Sequence, residues 1–366
     1  MKWKNQILNL PPYKPGKSID EVKREYGLSN IVKLASNENP YGCSDNVLQA
    51  LQNVSSPLAL YPDGYATTLR NSLADHLKVN PEQLIFGNGS DEIILIIARS
   101  LLRPGSNTVM ASLTFPQYKH NAIIEGAQVR EVPLINGAHD LKGMVEAIDQ
   151  NTKVVWLCSP NNPTGVYISN DLLLGFLEQV PDDVLVVLDE AYYEYVVAED
   201  YYDALSLIRT YSNIIVLRTF SKIYGLASLR IGYGMGQPSL IAALEPVREP
   251  FNVNTFAQVA AISGLEDQAF VEGCKLKNRE GLEQFYQFCA ENQLDYYPSQ
   301  GNFILIDFKV QGNEVFQFLL EKGYIVRSGN ALGYPTSVRI TVGSKEQNDG
   351  VLSELSQFLK AKTTSL

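Results

Sequence analysis

Short apolar runs without polar interruption recur along the chain, separated by longer stretches with helical periodicity. From about residue 60 the runs are Gln83-Leu84-Ile85-Phe86, Thr108-Val109-Met110-Ala111, Val154-Val155-Trp156-Leu157-Cys158, Val184-Leu185-Val186-Val187-Leu188 and Ile214-Ile215-Val216-Leu217. A strand with one wet face alternates apolar and polar residues, whereas a continuous apolar strand is covered on both faces. The pattern therefore predicts an α/β fold with a mainly parallel sheet between layers of helices. After about residue 255 the character changes. A helical stretch rich in charge and aromatics, Asp267 to Asn292, leads to the strands Asn302 to Asp307 and Ser337 to Val342, which read as a smaller α/β unit. The first residues are polar and rich in proline and glycine, as in Pro11-Pro12-Tyr13-Lys14-Pro15-Gly16-Lys17, and read as an arm. The expected organisation is an arm over residues 1–35, a large domain over 36–250 and a small domain over 251–366. With no repeat and no flexible linker, the two domains share a packed interface, a favoured place for a ligand cleft.

Composition narrows the function. At 366 residues, with 45% hydrophobic and 19% charged residues, the chain is globular and long enough for two cores. A net charge of −10 offers no basic patch for nucleic acid. The longest apolar stretch, Ile93 to Leu102, is too short to cross a membrane and is broken by Arg99. Met1 to Gln6 leads into no signal-like core, so a cytoplasmic location is expected. Cys43, Cys158, Cys274 and Cys289 form no CxxC pair, and His76, His120 and His139 lack metal-ligand spacing; a reduced compartment and no metal are expected.

Chemistry gathers where apolar runs end. Lys222 follows the run Ile214 to Leu217 within Thr219-Phe220-Ser221-Lys222-Ile223-Tyr224-Gly225, and Arg230 follows shortly after. Most lysines lie on solvated surfaces, so a lysine at the end of a buried strand suits a Schiff base. Phe86-Gly87-Asn88-Gly89-Ser90-Asp91-Glu92 sits where a strand gives way to a helix, either as a phosphate cradle or as a tight turn capped by Ser90. A dinucleotide fingerprint is disfavoured because Glu92 takes the place of its third glycine. Ser159-Pro160-Asn161-Asn162-Pro163-Thr164-Gly165 is a stiff loop after another strand, either an ordinary turn or a place from which the Asn162 amide reaches a ring oxygen. Asp189 follows five apolar residues and needs a cationic or proton-donating partner: a protonated pyridine nitrogen, an arginine or a metal. Because Asn162, Asp189 and Lys222 each follow a strand, a parallel sheet brings them to one edge.

These segments in this order resemble the fold-type I pyridoxal-phosphate aminotransferases, and more closely the histidinol-phosphate aminotransferase family. The resemblance covers nearly the whole chain. It adds Leu34-Ala35-Ser36-Asn37-Glu38-Asn39-Pro40-Tyr41-Gly42, Tyr61-Pro62-Asp63-Gly64, Asp189-Glu190-Ala191-Tyr192, Val326-Arg327 and Arg339-Ile340-Thr341 to those above. It implies a large domain with a seven-stranded sheet and pyridoxal 5′-phosphate as cofactor. Lys222 would be the covalent anchor and Asp189 the partner of the ring nitrogen, with Asn162 and Tyr192 on the phenolic oxygen and Phe115 stacked on the ring. Gly89, Ser90, Asp91, Ser221 and Arg230 would hold the phosphate, joined by Tyr61 from the partner subunit of a homodimer. Tyr13, Asn37, Asn302, Arg327 and Arg339 would bind substrate. The implied reaction, in histidine biosynthesis, passes the amino group of L-histidinol phosphate to 2-oxoglutarate, giving imidazole acetol phosphate and L-glutamate. An aromatic amino-acid aminotransferase is the nearest alternative and a threonine-phosphate decarboxylase a more distant one.

Overall fold

The computed structural model describes all residues except 9, 13–15, 56–57 and 365–366, and describes no side chains at 363–364. Seven strands build the main sheet: β1 (Leu84–Gly87), β2 (Asn107–Ala111), β3 (Gln128–Val132), β4 (Thr152–Cys158), β5 (Leu185–Asp189), β6 (Ile214–Thr219) and β7 (Gly232–Gly236). Their spatial order is β1-β7-β6-β5-β4-β2-β3, with β7 antiparallel to both neighbours and the other pairings parallel. Successive side chains of a strand point to opposite faces, and here both faces are dry. Val155, Leu157, Val186, Leu188 and Val216 enter one apolar core, while Val154, Trp156, Val187, Ile215 and Leu217 enter another on the opposite side. This double burial is the reason the runs do not alternate.

Two strands carry no apolar run. β3 lies at the sheet edge and is partly exposed. β7 reads Gly-Tyr-Gly-Met-Gly because it is crowded: a Cβ on Gly232 would lie 2.5 Å from the Ser90 amide nitrogen, and one on Gly234 would lie 3.0 Å from the Ile85 side chain.

A second sheet is antiparallel, with β8 (Asp295–Tyr296), β9 (Phe303–Asp307), β10 (Arg327–Ser328) and β11 (Ser337–Thr341) in the order β10-β11-β9-β8. The helices Gln268–Glu291, Gly312–Glu321 and Lys345–Thr364 cover it. Leu282, Phe285, Ile304, Val315, Ile340, Val351 and Leu355 form its core. The arm attaches here too. A capping box between Ser18 and Glu21 starts the helix Ile19–Tyr26, and Val32–Lys33 pairs in parallel with Tyr324–Ile325. Helix Thr255–Glu266 packs instead against the helices Asp45–Gln52 and Thr67–Leu77, placing Ala257, Ala260 and Ala261 in the core that holds Leu69 and Leu73. Among the described residues no helix is long and apolar enough to cross a membrane.

Candidate active site

The carboxyl ends of β4, β5 and β6 are in register, Cys158 opposite Asp189 and Asp189 opposite Leu217. The residues that follow these ends are thereby delivered to one edge, where a cleft of about 370 Å³ opens toward the second sheet. Lys222, Asp189, Tyr192, Asn162, Ser221, Arg230, Phe115 and the Gly89–Asp91 turn all line it.

Lys222 is fixed by the turn that carries it. The Ser221 amide donates to Thr219 Oγ1 at 3.0 Å, and the Gly225 amide donates to the Lys222 carbonyl at 2.9 Å. Gly225 has φ +71°, and a Cβ there would sit 1.9 Å from the Gly42 carbonyl oxygen, so only glycine fits. The Lys222 Nζ donates to the Ser36 carbonyl at 3.1 Å. Burial, reinforced by the charge of Arg339, lowers this ammonium from the usual 10.5 to about 8.

An anion-binding end lies beside it. The helix Ser90–Leu101 starts from Gly89, which has φ 74° and supplies no side-chain cap. The Ser90 hydroxyl is therefore not spent on capping, and the first amides face the cleft with the positive end of the helix. The carboxylate of Glu92, not that of Asp91, turns back to accept from the Asn88 amide at 2.5 Å. Arg230, itself in the left-handed region at φ 55°, donates to Ser221 Oγ and to Asp91 Oδ2, each at 3.3 Å. A Cβ on Gly89 would come within 2.7 Å of Arg230 Nη2. These amides, hydroxyls and guanidinium suit a phosphate, and the missing Cβ leaves it room.

Asp189 is only 3% exposed, and burial lifts its carboxyl to about 6. Its proton-donating partner within the chain is Tyr118, whose hydroxyl donates to Oδ2 at 2.5 Å, while the Ala191 amide donates to Oδ1 at 3.2 Å. Sequence reasoning missed Tyr118, because nothing in Phe115-Pro116-Gln117-Tyr118 marks a side chain aimed at a strand end. The buried Glu190–Arg218 pair, with Nε to Oε2 at 2.8 Å, was also missed; it anchors the residue after Asp189 on the opposite face. Tyr192 accepts from Asn37 Nδ2 at 3.0 Å and from Asn162 Nδ2 at 3.4 Å. Two incoming donors occupy its oxygen, which leaves the Tyr192 proton to be given to a group in the cleft.

The expected substrate residues divide. Arg327 and Arg339 line the cleft as directly opposite partners on β10 and β11. Arg339 donates to Asn162 Oδ1 at 2.6 Å and to the Ala35 carbonyl at 2.5 Å. Like charges in register repel unless an anion lies between them. Asn37 lines the cleft, but Asn302 lies behind it and donates to the Asn37 carbonyl at 3.0 Å. Tyr61 is 82% exposed and stacks on Phe251 outside the cleft of its own chain. Tyr13 lies outside the described residues.

An amine of lowered pKa, a phosphate cradle, a buried carboxylate and a flanking aromatic on one sheet edge define a site for a phosphorylated pyridine aldehyde. Residues 29–355 match the family model for aminotransferase class I and II. The histidinol-phosphate aminotransferase of Geobacillus sp. (strain WCH70) is 63% identical over 362 residues, 99% of each chain. The enzyme of that name from Bacillus subtilis (strain 168) is 60% identical over 98% of this chain and 100% of its own. The crystal structure of histidinol-phosphate aminotransferase from Sinorhizobium meliloti in complex with pyridoxal-5′-phosphate superposes with a TM-score of 0.90 at 26% identity, covering 98% of both chains. The chain belongs to the class I and II aminotransferases, within their histidinol-phosphate aminotransferase family.

Proposed function

We propose that this chain is a pyridoxal 5′-phosphate-dependent transaminase that moves the amino group of L-histidinol phosphate to 2-oxoglutarate. The observation that carries the reading is that Lys222, Asp189 and Arg230 line one cleft. When bound, the cofactor supplies an electron sink for the electron pair released at the substrate α-carbon. Lys222 would hold it covalently and, once displaced by the amino donor, would take the α-proton on Nζ and deliver it to the cofactor's aldehyde carbon and not back to the α-carbon. An amine that loses its own proton near pH 8 is matched to both tasks. Asp189 holds the ring nitrogen, Asn162 and Tyr192 hold the phenolic oxygen, and Phe115 covers one face. The Gly89–Asp91 amides with Ser90, Ser221 and Arg230 take the cofactor phosphate. Arg327 and Arg339 receive the substrate phosphate or, in the second half-reaction, a carboxylate, since a guanidinium fork accepts either. Asn37 orients Tyr192, and Asn302 acts by holding the Asn37 backbone.

Steady-state rates with histidinol phosphate, phenylalanine and tyrosine as donors test the substrate. The expected result is a kcat/KM for histidinol phosphate higher by about 10-fold or more. A preference for phenylalanine would move the assignment to an aromatic aminotransferase, which the relatives do not favour.

The site also needs a second copy. Leu58, Leu60, Tyr61 and Tyr65 are 84%, 68%, 82% and 69% exposed, an apolar surface that a homodimer would cover. Tyr61 would then reach the phosphate end of the partner's cleft. Sedimentation of the active enzyme is expected to give a dimer, and full activity in a monomer would overturn this. We read the chain as an arm at 1–35, a large domain at 36–250 and a small domain at 251–366; two sheets with separate cores support this division, although helix Thr255–Glu266 packs with the large one. Four free cysteines suit a reducing cytoplasm.

A further inference from the structure

We infer that Tyr118 is a positioning residue for the reaction, holding Asp189 ionised and in one rotamer so that it can grip the ring nitrogen. The inference rests on the proposed role of Asp189. Tyr118 is fully buried, and its ring stacks on Trp156 with centroids 4.9 Å apart and 11° between planes. Trp156 is pinned in turn, its Nε1 donating to Thr108 Oγ1 at 2.8 Å, which donates to the Val154 carbonyl at 2.7 Å. The other edge of Tyr118 meets Phe115 at 5.6 Å in a T-shaped contact. One short helix, Gln117–Glu125, with the turn before it, therefore sets both the aromatic that flanks the ring and the donor behind its carboxylate.

Burial and the adjacent Asp189 hold the Tyr118 phenol well above its usual pKa, so it remains a donor at working pH. With Oδ2 held by Tyr118 and Oδ1 by the Ala191 amide, the carboxylate keeps its second lone pairs for the cleft. Burial and the charges of Asp91 and Glu190 raise the Asp189 carboxyl, while the Tyr118 hydrogen bond opposes them. Cys158 and Tyr192 also face Asp189, and burial pushes both of them up, which keeps them neutral.

The test is Tyr118→Phe, which keeps the ring and removes the donor. In the full chain without cofactor, carbon-13 NMR of labelled aspartate, assigned by the signal lost in Asp189→Asn, should show the Asp189 midpoint about one pH unit higher. In the holoenzyme kcat should fall by about 10-fold with KM changed by less than about 2-fold. An unmoved midpoint with normal kcat would overturn the inference. Where Tyr118→Phe fails to fold, the wild-type chain decides: a downfield phenolic proton that disappears in Asp189→Asn supports the bond, and its absence from the wild type overturns it. Full activity of Asp189→Asn would instead sink the reading of Asp189 itself.

Discussion

Replacing Lys222 with alanine is expected to lower turnover of the holoenzyme by about 10⁴-fold, the upper end of what a positioned proton-transfer group contributes. The same change should leave no cofactor attached to the chain after borohydride treatment, as read by mass spectrometry. Normal transamination by the variant would end the assignment. The wild-type amine provides a second check. A lysine whose ammonium is lowered to about 8 becomes nucleophilic above that pH, because only the neutral amine carries a lone pair. In cofactor-free protein, acylation of Lys222 should reach half its maximal rate near pH 8, while exposed lysines lag until nearer their ordinary value of about 10.4. A midpoint for Lys222 among those of the surface lysines would show that Arg339 and burial do not act on it.

Asp189→Asn should divide activity from stability. Removing a charge matched to a cation in a closed cleft is expected to lower kcat by about 10²–10³-fold. The cofactor-free chain should move the other way. In the fold the carboxyl titrates near 6, above the value of about 3.9 for an unfolded aspartate. A raised acid costs stability as it ionises: the cost is absent below about pH 4, grows as pH rises and is complete above about pH 6. Asparagine never ionises. At pH 8 the cofactor-free variant should therefore be more stable than the wild type by about 3 kcal/mol, and the gap should close by pH 4. Urea denaturation at the two pH values measures it, and an equal gap at both would refute the electrostatic account. Asp189 thus sits where the cofactor-free fold resists its charge, and on the proposed reading a cationic ring would relieve that cost.

Much of the sheet was legible because β1, β2, β4, β5 and β6 are buried on both faces, which forces β-branched and aliphatic residues at nearly every position. β3 and β7 were not. The first has an exposed face at the sheet edge, and the second carries glycine where the Ser90 backbone meets Gly232 and where core side chains meet Gly234, so neither keeps an apolar run. Lys222, Asp189, Asn162 and the Gly89 turn, which line one cleft, stand out in the sequence because each is a polar or glycine signal soon after such a run, where burial makes polarity conspicuous. Tyr118 escaped because an aromatic on a helix face reads as ordinary core until its hydroxyl is seen to meet a carboxylate. Asn302, expected at the substrate, does not line the cleft, and its amide donates to the Asn37 carbonyl, a link that local sequence does not reveal.

By itself, then, the chain's sequence determined the α/β class, the strand ends where polar residues gather and the family, since all three are written in local runs and their order. Tertiary structure alone decided how those ends are wired. It set Arg327 against Arg339 across β10 and β11, gave Tyr192 two amide donors and brought Tyr118 to Asp189, 71 residues away in the chain. Such contacts depend on register and on which face of a helix meets the sheet, and these are fixed only when the whole core packs.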